Sequence, residues 1–517
     1  MLRSRIGARL SKTMQFCKYS QQWHQPTGYE TGIQVYNCIA RSNVPLVLKN
    51  KHIATWYTCG PTVYDSSHLG HASCYVKLDI IQRIMRDHFK INLVTAMNIT
   101  DIDDKIIKRS HESGRSWQEL TKLYETEFWN DMKRLHVIEP NVKIRVTENI
   151  PHIVAFIKKL IANKLAYIGR DKSIYFDVNS YPGYGKLQRL NIEQVSHELK
   201  ESTIDFALWK AQKASNEPSW SSPWGDGRPG WHIECSALAS MIFGNGIDIH
   251  AGGLDLKFPH HENEEAQSCA FHETPQWVNY WLHTGHLSIA GQSEKMSKSL
   301  KNTISIDEML QSYSSDEFRM ACILSNYRNS VEYGDKMMNT AHGTLKRFHE
   351  FNVNVEAYLK GRKRGALIDS NEILALLSKS KLLIDQHLKD DFNTARCIGV
   401  LIELSSAVSK SINSTTENEQ TFASNLDTIA AVRNFVNCNL QMFGFEIGDA
   451  THIDDNNLDL SSLLEDLVKT RSDMRQRAME TKNKEMFRVC DELRDCLKRN
   501  GVELKDHYQG STWNFTK

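Results

Sequence analysis

Three short stretches carry side chains whose types and spacing could do chemistry together. The first is Thr58-Cys59-Gly60-Pro61-Thr62-Val63-Tyr64-Asp65-Ser66-Ser67-His68-Leu69-Gly70-His71. It follows an apolar run, Ile53 to Tyr57, that reads as a buried strand, and precedes an amphipathic run, Cys74 to His88, that reads as a helix. A helix N-terminus at the end of a strand suits phosphate. Gly70 permits close approach of a ligand, and the imidazoles of His68 and His71 can bond phosphoryl oxygens as charge develops. For that tetrapeptide alone, an ordinary βα loop with surface histidines is the other reading. The second stretch is Lys295-Met296-Ser297-Lys298-Ser299, between Gly291 and Asn302. Two cations on a hydroxyl-bearing loop suit mobile closure over phosphates, while alone they would be an exposed turn. The third is Phe258-Pro259-His260-His261-Glu262-Asn263-Glu264, which places His260 and Glu264 at i, i+4 on one helix face.

Cys59 and Cys235 each fall at a strand-to-helix junction. Two thiolates, one imidazole and one carboxylate suit zinc by ligand type. Each is weak alone, because an isolated buried cysteine is usually core and an isolated helical histidine usually caps or packs. Asp101, Asp103 and Asp104 form an acidic cluster whose plain reading is helix-start chemistry.

The elements that must position these groups follow an α/β pattern over 36–128: strand, helix, a second strand over Ile91–Met97, and a helix over Lys105–Lys108. Residues 129–229 look like an insert, with helical runs Phe128–Leu135 and Ile150–Lys164, a strand at Ser173–Val178, and loops rich in Gly, Pro, Ser and Trp. The α/β pattern resumes over 230–302, with strands at Gly246–Gly253 and Trp277–Leu287 around a helix at His260–Phe271. Residues 303–359 turn helical. Lys360-Gly361-Arg362-Lys363-Arg364-Gly365 reads as a basic break, and 366–517 as a helical bundle.

At 517 residues the chain exceeds one compact domain. Its net charge of +1 announces no nucleic acid, so any RNA site must be a local patch, for which Arg471, Arg475, Arg477, Lys482, Lys484 and Trp513 are candidates. Eleven scattered cysteines form no disulfide framework and point to a reducing compartment. No apolar run is long enough to span a membrane. Residues 1–29 hold Arg3, Arg5, Arg9, Lys12 and Lys18 with no acid, interleaved with Ser and Thr, which is the composition of a mitochondrial transit peptide. Without those cations the remainder is acidic.

A His-x-Gly-His early and a Lys-Met-Ser-Lys-Ser late resemble the paired signature of class I aminoacyl-tRNA synthetases. The chain resembles the cysteinyl-tRNA synthetases in particular, through Cys59–Asp65, Asn98-Ile99-Thr100-Asp101-Ile102-Asp103-Asp104-Lys105, Gly230-Trp231-His232-Ile233-Glu234-Cys235-Ser236, Pro259–Glu264, Asp390-Asp391-Phe392-Asn393-Thr394 and Gly510-Ser511-Thr512-Trp513. One departure is Ala395, where the family commonly has proline. The resemblance implies a Rossmann-like catalytic domain split by a connective peptide, then a helical stem-contact region and an α-helical anticodon-binding domain. It implies cysteine activation by ATP, with magnesium, and transfer to tRNA(Cys), which the composition of residues 1–29 would place in the mitochondrial matrix. It assigns one zinc ion to Cys59, Cys235, His260 and Glu264, with the metal selecting the substrate thiol over a hydroxyl. It places His68, His71, Lys295 and Lys298 at the triphosphate, and Gly60, Thr100, Trp231 and His260 at the amino acid. Asp255, in the Gly252-Gly253-Leu254-Asp255 turn, is a candidate near the ribose or base. His261 and Glu262 are neighbours of the metal group. The family has also been credited with pyridoxal-phosphate-dependent cysteine persulfide formation, through lysines that here are Lys105, Lys108, Lys295 and Lys298. Rival readings are a cysteine ligase with a small amine acceptor and a catalytically silent RNA-binding paralogue. A monomer is the default state.

Overall fold

The computed structural model describes residues 21–188, 198–291, 296, 302–361, 368–413, 425–446, 460–507 and 510–515. Two antiparallel strands come first, β1 (Tyr29–Asn37) and β2 (Ser42–Leu48). A parallel sheet then begins with β3 (Ala54–Thr58), α1 (Leu69–Arg83), β4 (Leu93–Ile99), α2 (Asp104–Ser113), α3 (Trp117–Arg134) and β5 (Val142–Arg145). Helix α4 (Ile150–Ala162) leads to an antiparallel sheet of β6 (Ala166–Ile168), β7 (Ile174–Phe176), β8 (Phe206–Ala211) and β9 (Gly227–Pro229). The chain returns to the parallel sheet through α5 (Trp231–Phe243), β10 (Ile247–Gly253), α6 (Glu262–His272) and β11 (Val278–Thr284).

The parallel sheet runs β11-β10-β3-β4-β5. Strands covered on both faces are mostly apolar, and β3 and β10 are buried almost end to end, with Asp248 and His250 as buried polar exceptions on β10. From β3 the chain moves outward through α1 to β4, and from β10 it moves the other way through α6 to β11. The order therefore reverses between β3 and β10, and a crevice opens beyond their carboxyl ends. Cys59 and Gly252 stand at that crevice, since Thr58 pairs with Ala251.

After the sheet come β12 (Leu287–Ile289), α7 (Ile306–Ser312), α8 (Ser315–Ile323), β13 (Val331–Tyr333) and α9 (Asp335–Leu359). Helices α10 (Ser370–Lys389), α11 (Thr394–Asn413) and α12 (Leu426–Met442) follow. Their apolar stripe, including Ile373, Leu377, Ile384, Leu401 and Leu404, joins the same core as Val76 and Ile81 of α1. The compact units accordingly part at 447/448, not at the basic break of 360–365. Residues 362–367 lie outside the described residues.

The second unit contains α13 (Leu460–Thr481), α14 (Lys484–Arg499) and an antiparallel hairpin of β14 (Val502–His507) and β15 (Gly510–Phe515), so the expected bundle ends in strands. Arg471, a candidate for RNA, is fully buried instead. Its guanidinium donates to Asp506 Oδ1 at 2.7 Å and to Cys490 O at 2.9 Å. Arg475 also pairs with Asp506, at 2.6 Å. Asp506→Ala should lower the stability of this unit by about 2–3 kcal/mol, below the range for a wholly buried pair because Asp506 keeps access to water. The hydrogen bond from Arg471 is the main reason that Asp506 lies well below the usual carboxylate range. Its contribution is therefore complete above about pH 4, the ordinary Asp value, and is lost as pH falls towards the folded value. Thermal melts of 448–517 against pH check both; a melt unchanged by the substitution removes Arg471 from the unit's core.

Two boundaries differ from expectation. The break expected at 128/129 falls inside α3, and β5 pairs with β4, so the insert begins after Arg145. The short strand Val142-Lys143-Ile144-Arg145 alternates charge with apolar residues at the sheet edge, and offers no apolar run to mark it. The segment expected as a transit peptide overlaps the folded body from Gln21 onward. Trp23 Nε1 donates to Asn279 O at 2.9 Å, and its ring packs 6.0 Å from that of Tyr280. Residues 1–20 lie outside the described residues.

Candidate active site

The loop after β3 runs straight into the crevice. Gly60 N donates to Asn98 Oδ1 at 2.9 Å, and a Cβ on Gly60 would come within 1.6 Å of Asn98 O. No side chain fits there, which is why glycine stands at this turn. Asn98 Nδ2 donates to Thr100 Oγ1 at 3.1 Å, and Thr100 Oγ1 donates to Glu234 Oε2 at 3.0 Å. Burial drives Glu234 well above the usual carboxylate range, with the charge of Cys235 adding to the effect.

His68 caps α1: its Nδ1 accepts from Gly70 N at 3.1 Å, and His68 N donates to His71 Nδ1 at 3.4 Å. The two rings stack at 3.9 Å. A Cβ on Gly70 would lie 2.8 Å from the His68 ring, so the glycine is required by the histidine it accompanies. Of the Lys-Met-Ser-Lys-Ser loop, only Met296 is described; Lys295 and Lys298 lie outside the described residues. Met296 is buried, and its backbone N–H donates to Leu287 O at 3.3 Å. Its side chain faces Gly70 of the histidine turn.

The four expected metal donors meet although they come from three segments. Cys59 Sγ lies 3.7 Å from Cys235 Sγ and 3.4 Å from Glu264 Oε1, and His260 Nε2 lies 3.0 Å from the same oxygen. A tetrahedral ion with bonds of ~2.0–2.3 Å needs donor separations of about 3.3–3.8 Å, so this group is close to what a metal requires. All four are buried. Burial would raise Glu264, but the imidazoles of His250 and His260 outweigh it and hold the carboxyl well below its usual range. Burial also opposes ionisation of Cys235, yet the hydrogen bond from Cys59 and the neighbouring His260 bring it down to about 6. An ionised thiol and carboxylate in a dry pocket form an anionic donor set suited to a cation.

A second group, Cys59, His250, His261 and Glu264, also has ligand atoms within 4.8 Å of one another. Of its imidazoles, His250 already has a partner, whereas His261 Nε2 lies 3.5 Å from Cys59 Sγ. His250 Nε2 lies 2.9 Å from Glu264 Oε2, which leaves Oε1 for the first group. His261 Nδ1 pairs with His283 Nε2 at 2.9 Å, and burial holds both imidazoles neutral. His232 Nδ1 faces His260 Nδ1 at 2.9 Å and fixes the orientation of that ring. Trp231 is 38% exposed, which rules out plain core packing, and its indole lies 4.3 Å from the His260 ring. Glu262 does not join the metal group. Its carboxylate accepts the backbone N–H groups of Gly185, Lys186, Leu187 and Gln188 at 2.8, 2.9, 2.7 and 3.2 Å, tying the insert to α6.

One cavity of about 590 Å³ collects most of these groups: Cys59, Gly60, His68, His71, Thr100, Trp231, Cys235, Asp255 and His260 all line it. Lys105 reaches the same wall, whereas Lys108 is exposed and lies 3.9 Å from Glu112. Sequence reasoning did not single out Asn98, Glu234, His250 or His283. Asn98 could have been found from strand alternation, because it shares a face with Thr100.

Residues 45–343 match the family model described as tRNA synthetases class I (C) catalytic domain, and 384–433 match the DALR domain. A Xenopus tropicalis protein named probable cysteine–tRNA ligase, mitochondrial, is 40% identical over 523 residues, covering 95% of this chain and 91% of that protein. The chain belongs to the cysteine–tRNA ligase family. It is thus an aminoacyl-tRNA synthetase of class I, an enzyme that joins cysteine to tRNA. A Dictyostelium discoideum cysteine–tRNA ligase named as cytoplasmic is 39% identical over 96% of this chain and 79% of that protein. Among solved structures, a Mycobacterium tuberculosis methionyl-tRNA synthetase in complex with methionyl-adenylate superposes with a TM-score of 0.58 at 14% identity, over 76% of this chain and 91% of that one. At that identity the likeness speaks for the fold alone. No helix among the described residues is long and apolar enough to cross a membrane.

Proposed function

We propose that this ligase activates L-cysteine with ATP and charges tRNA(Cys) in the mitochondrial matrix, acting as a monomer with one zinc ion held by Cys59, Cys235, His260 and Glu264. The observation that carries the reading is the meeting of that donor set with the His68–His71 turn in one cavity. The first donor group is preferred because it offers two cysteine sulfurs where the second offers one, and because His250 of the second is already paired with Glu264 Oε2. Bound there, zinc would supply a thiophilic Lewis acid for the substrate side chain. Thr100 and Gly60 line the amino-acid end, with Trp231 as its wall. His68, His71, Lys295 and Lys298 serve the triphosphate, where positioned donors offset developing charge, and Asp255 serves the adenosine. The helices that include the DALR match serve the tRNA.

Cysteine-dependent exchange of pyrophosphate into ATP, followed by charging of tRNA(Cys), tests the reading. Exchange without charging would favour the small-amine ligase, and loss of both would favour a silent paralogue. For the pyridoxal-phosphate-dependent activity, Lys105 is the one described lysine of the expected set at the cavity.

The Arg-rich leader and the mitochondrial label of the Xenopus relative support the location. Because Trp23 is built into the folded body, the mature chain is expected to begin at or before Gln21. Sequencing the N-terminus of the mitochondrial protein checks this. A start beyond Gln21, or a reporter fused to 1–20 that stays in the cytosol, would refute it.

A further inference from the structure

The Asp390-Asp391-Phe392-Asn393-Thr394 stretch takes no part in the site described above, yet it is strained and fully engaged. Asp391 and Phe392 both have positive φ, +52° and +53°, a conformation that side chains with a Cβ rarely hold without compensation. The compensation is visible. Asp391 Oδ1 accepts from Tyr36 N and from the Tyr327 hydroxyl, both at 2.9 Å, and Oδ2 accepts from Arg328 Nε at 2.7 Å. Asp391 N donates to Gln34 O at 2.9 Å, and Thr394 Oγ1 donates to Ile323 O at 2.8 Å. The corner between α10 and α11 is thereby locked onto β1 and onto the turn 326–330.

That turn in turn holds one end of the active-site cavity. Gly285 N donates to Tyr327 O at 2.9 Å, Val331 N to His286 O at 2.9 Å, and His286 N to Ser330 Oγ at 3.2 Å. Gly285 packs so closely that a Cβ would lie 2.2 Å from the Asn329 backbone. From inside α1, six residues past His71, the buried ammonium of Lys77 donates to Asn329 O at 3.3 Å. Gly285, His286 and Leu287 line the cavity, and Leu287 anchors Met296 of the phosphate loop. The metal donors sit in other segments.

We infer that Asp391 is a positioning residue for the ATP end of the active site, acting through Tyr327 and Arg328 on the 326–330 turn and hence on Gly285–Leu287. This rests on the proposed function, since it presupposes that the cavity binds ATP. Burial, with Asp391 beside it, keeps the Tyr327 phenol protonated and so a donor. A role confined to stability would weaken both substrates alike, whereas positioning of this turn should weaken ATP selectively.

The test is pyrophosphate exchange by the full chain, with ATP and cysteine varied separately, for wild type, Asp391→Asn, Tyr327→Phe and the double variant. Exchange by the wild type establishes the proposed function independently of the variants. Asp391→Asn is expected to lower kcat/KM for ATP about tenfold through a raised KM, the scale of one charged hydrogen bond, with the cysteine KM unchanged. Tyr327→Phe should move the same parameter in the same direction, and the double variant should be no worse than Asp391→Asn, because both act through one contact. Should Asp391→Asn fail to fold, Tyr327→Phe removes only a hydroxyl and carries the test. An unchanged KM for ATP in Tyr327→Phe, or equal losses for ATP and cysteine in either variant, overturns the inference.

Discussion

Lys298→Ala is expected to form the adenylate about 100-fold more slowly, a loss of ~3 kcal/mol by analogy with removal of one oxyanion donor. Cysteine affinity should stay nearly intact. The reason is the timing of the charge. Attack of the cysteine carboxylate on the α-phosphate builds negative charge on the phosphoryl oxygens, and a cation that meets this charge only at the transition state changes kcat more than binding. Met296, two residues before Lys298 in sequence, is buried and faces Gly70 of the His68–His71 turn, which supports the assignment. Single-turnover activation at saturating ATP and cysteine gives the rate, and equilibrium binding of cysteine gives the control. A wild-type rate in the variant would remove Lys298 from the phosphate site.

The parts of this site that could be read from sequence are those whose residue type is costly anywhere else. Gly60 is fixed by a backbone contact that no Cβ could survive, and Gly70 by the His68 ring, which a Cβ would displace. The metal donors are each weak alone and stand out as a set only through the family resemblance, since only folding brings Cys59 within 3.7 Å of Cys235. The supporting groups were less legible, because their types are ordinary. His250 sits in a buried strand where a histidine has no sequence signature, and Glu234 looks like a helical surface residue until Thr100 donates to it. Arg471 was misread for the opposite reason: a guanidinium in a charged helix usually faces water, and its burial depends on Asp506, which lies 35 residues on. Domain limits suffered similarly. The apolar faces of α10–α12 mark them as packed, but sequence does not say against what, and the structure packs them into the catalytic core.

Removing the metal should abolish cysteine activation and, with it, selectivity against serine. Cysteine and serine differ by sulfur for oxygen, a change that packing alone discriminates poorly. A thiophilic ion changes the terms, since a bound thiol ionises near neutral pH and a hydroxyl does not. The protein must then present the ion with an anionic, oriented donor set. Glu264 is held by His250 through Oε2, so that Oε1 faces the centre, and His260 is oriented by His232. Cys235→Ser should therefore lower zinc content and cysteine-dependent exchange together. Cobalt in place of zinc gives a readout independent of turnover. Its thiolate absorption band is expected to change on adding cysteine and to stay unchanged with serine. Wild-type activation by a chelated, metal-free enzyme would overturn the account. So would a cobalt enzyme that activates cysteine while its spectrum ignores the substrate, because the ion would then hold the β3 and α5 segments together without touching the thiol.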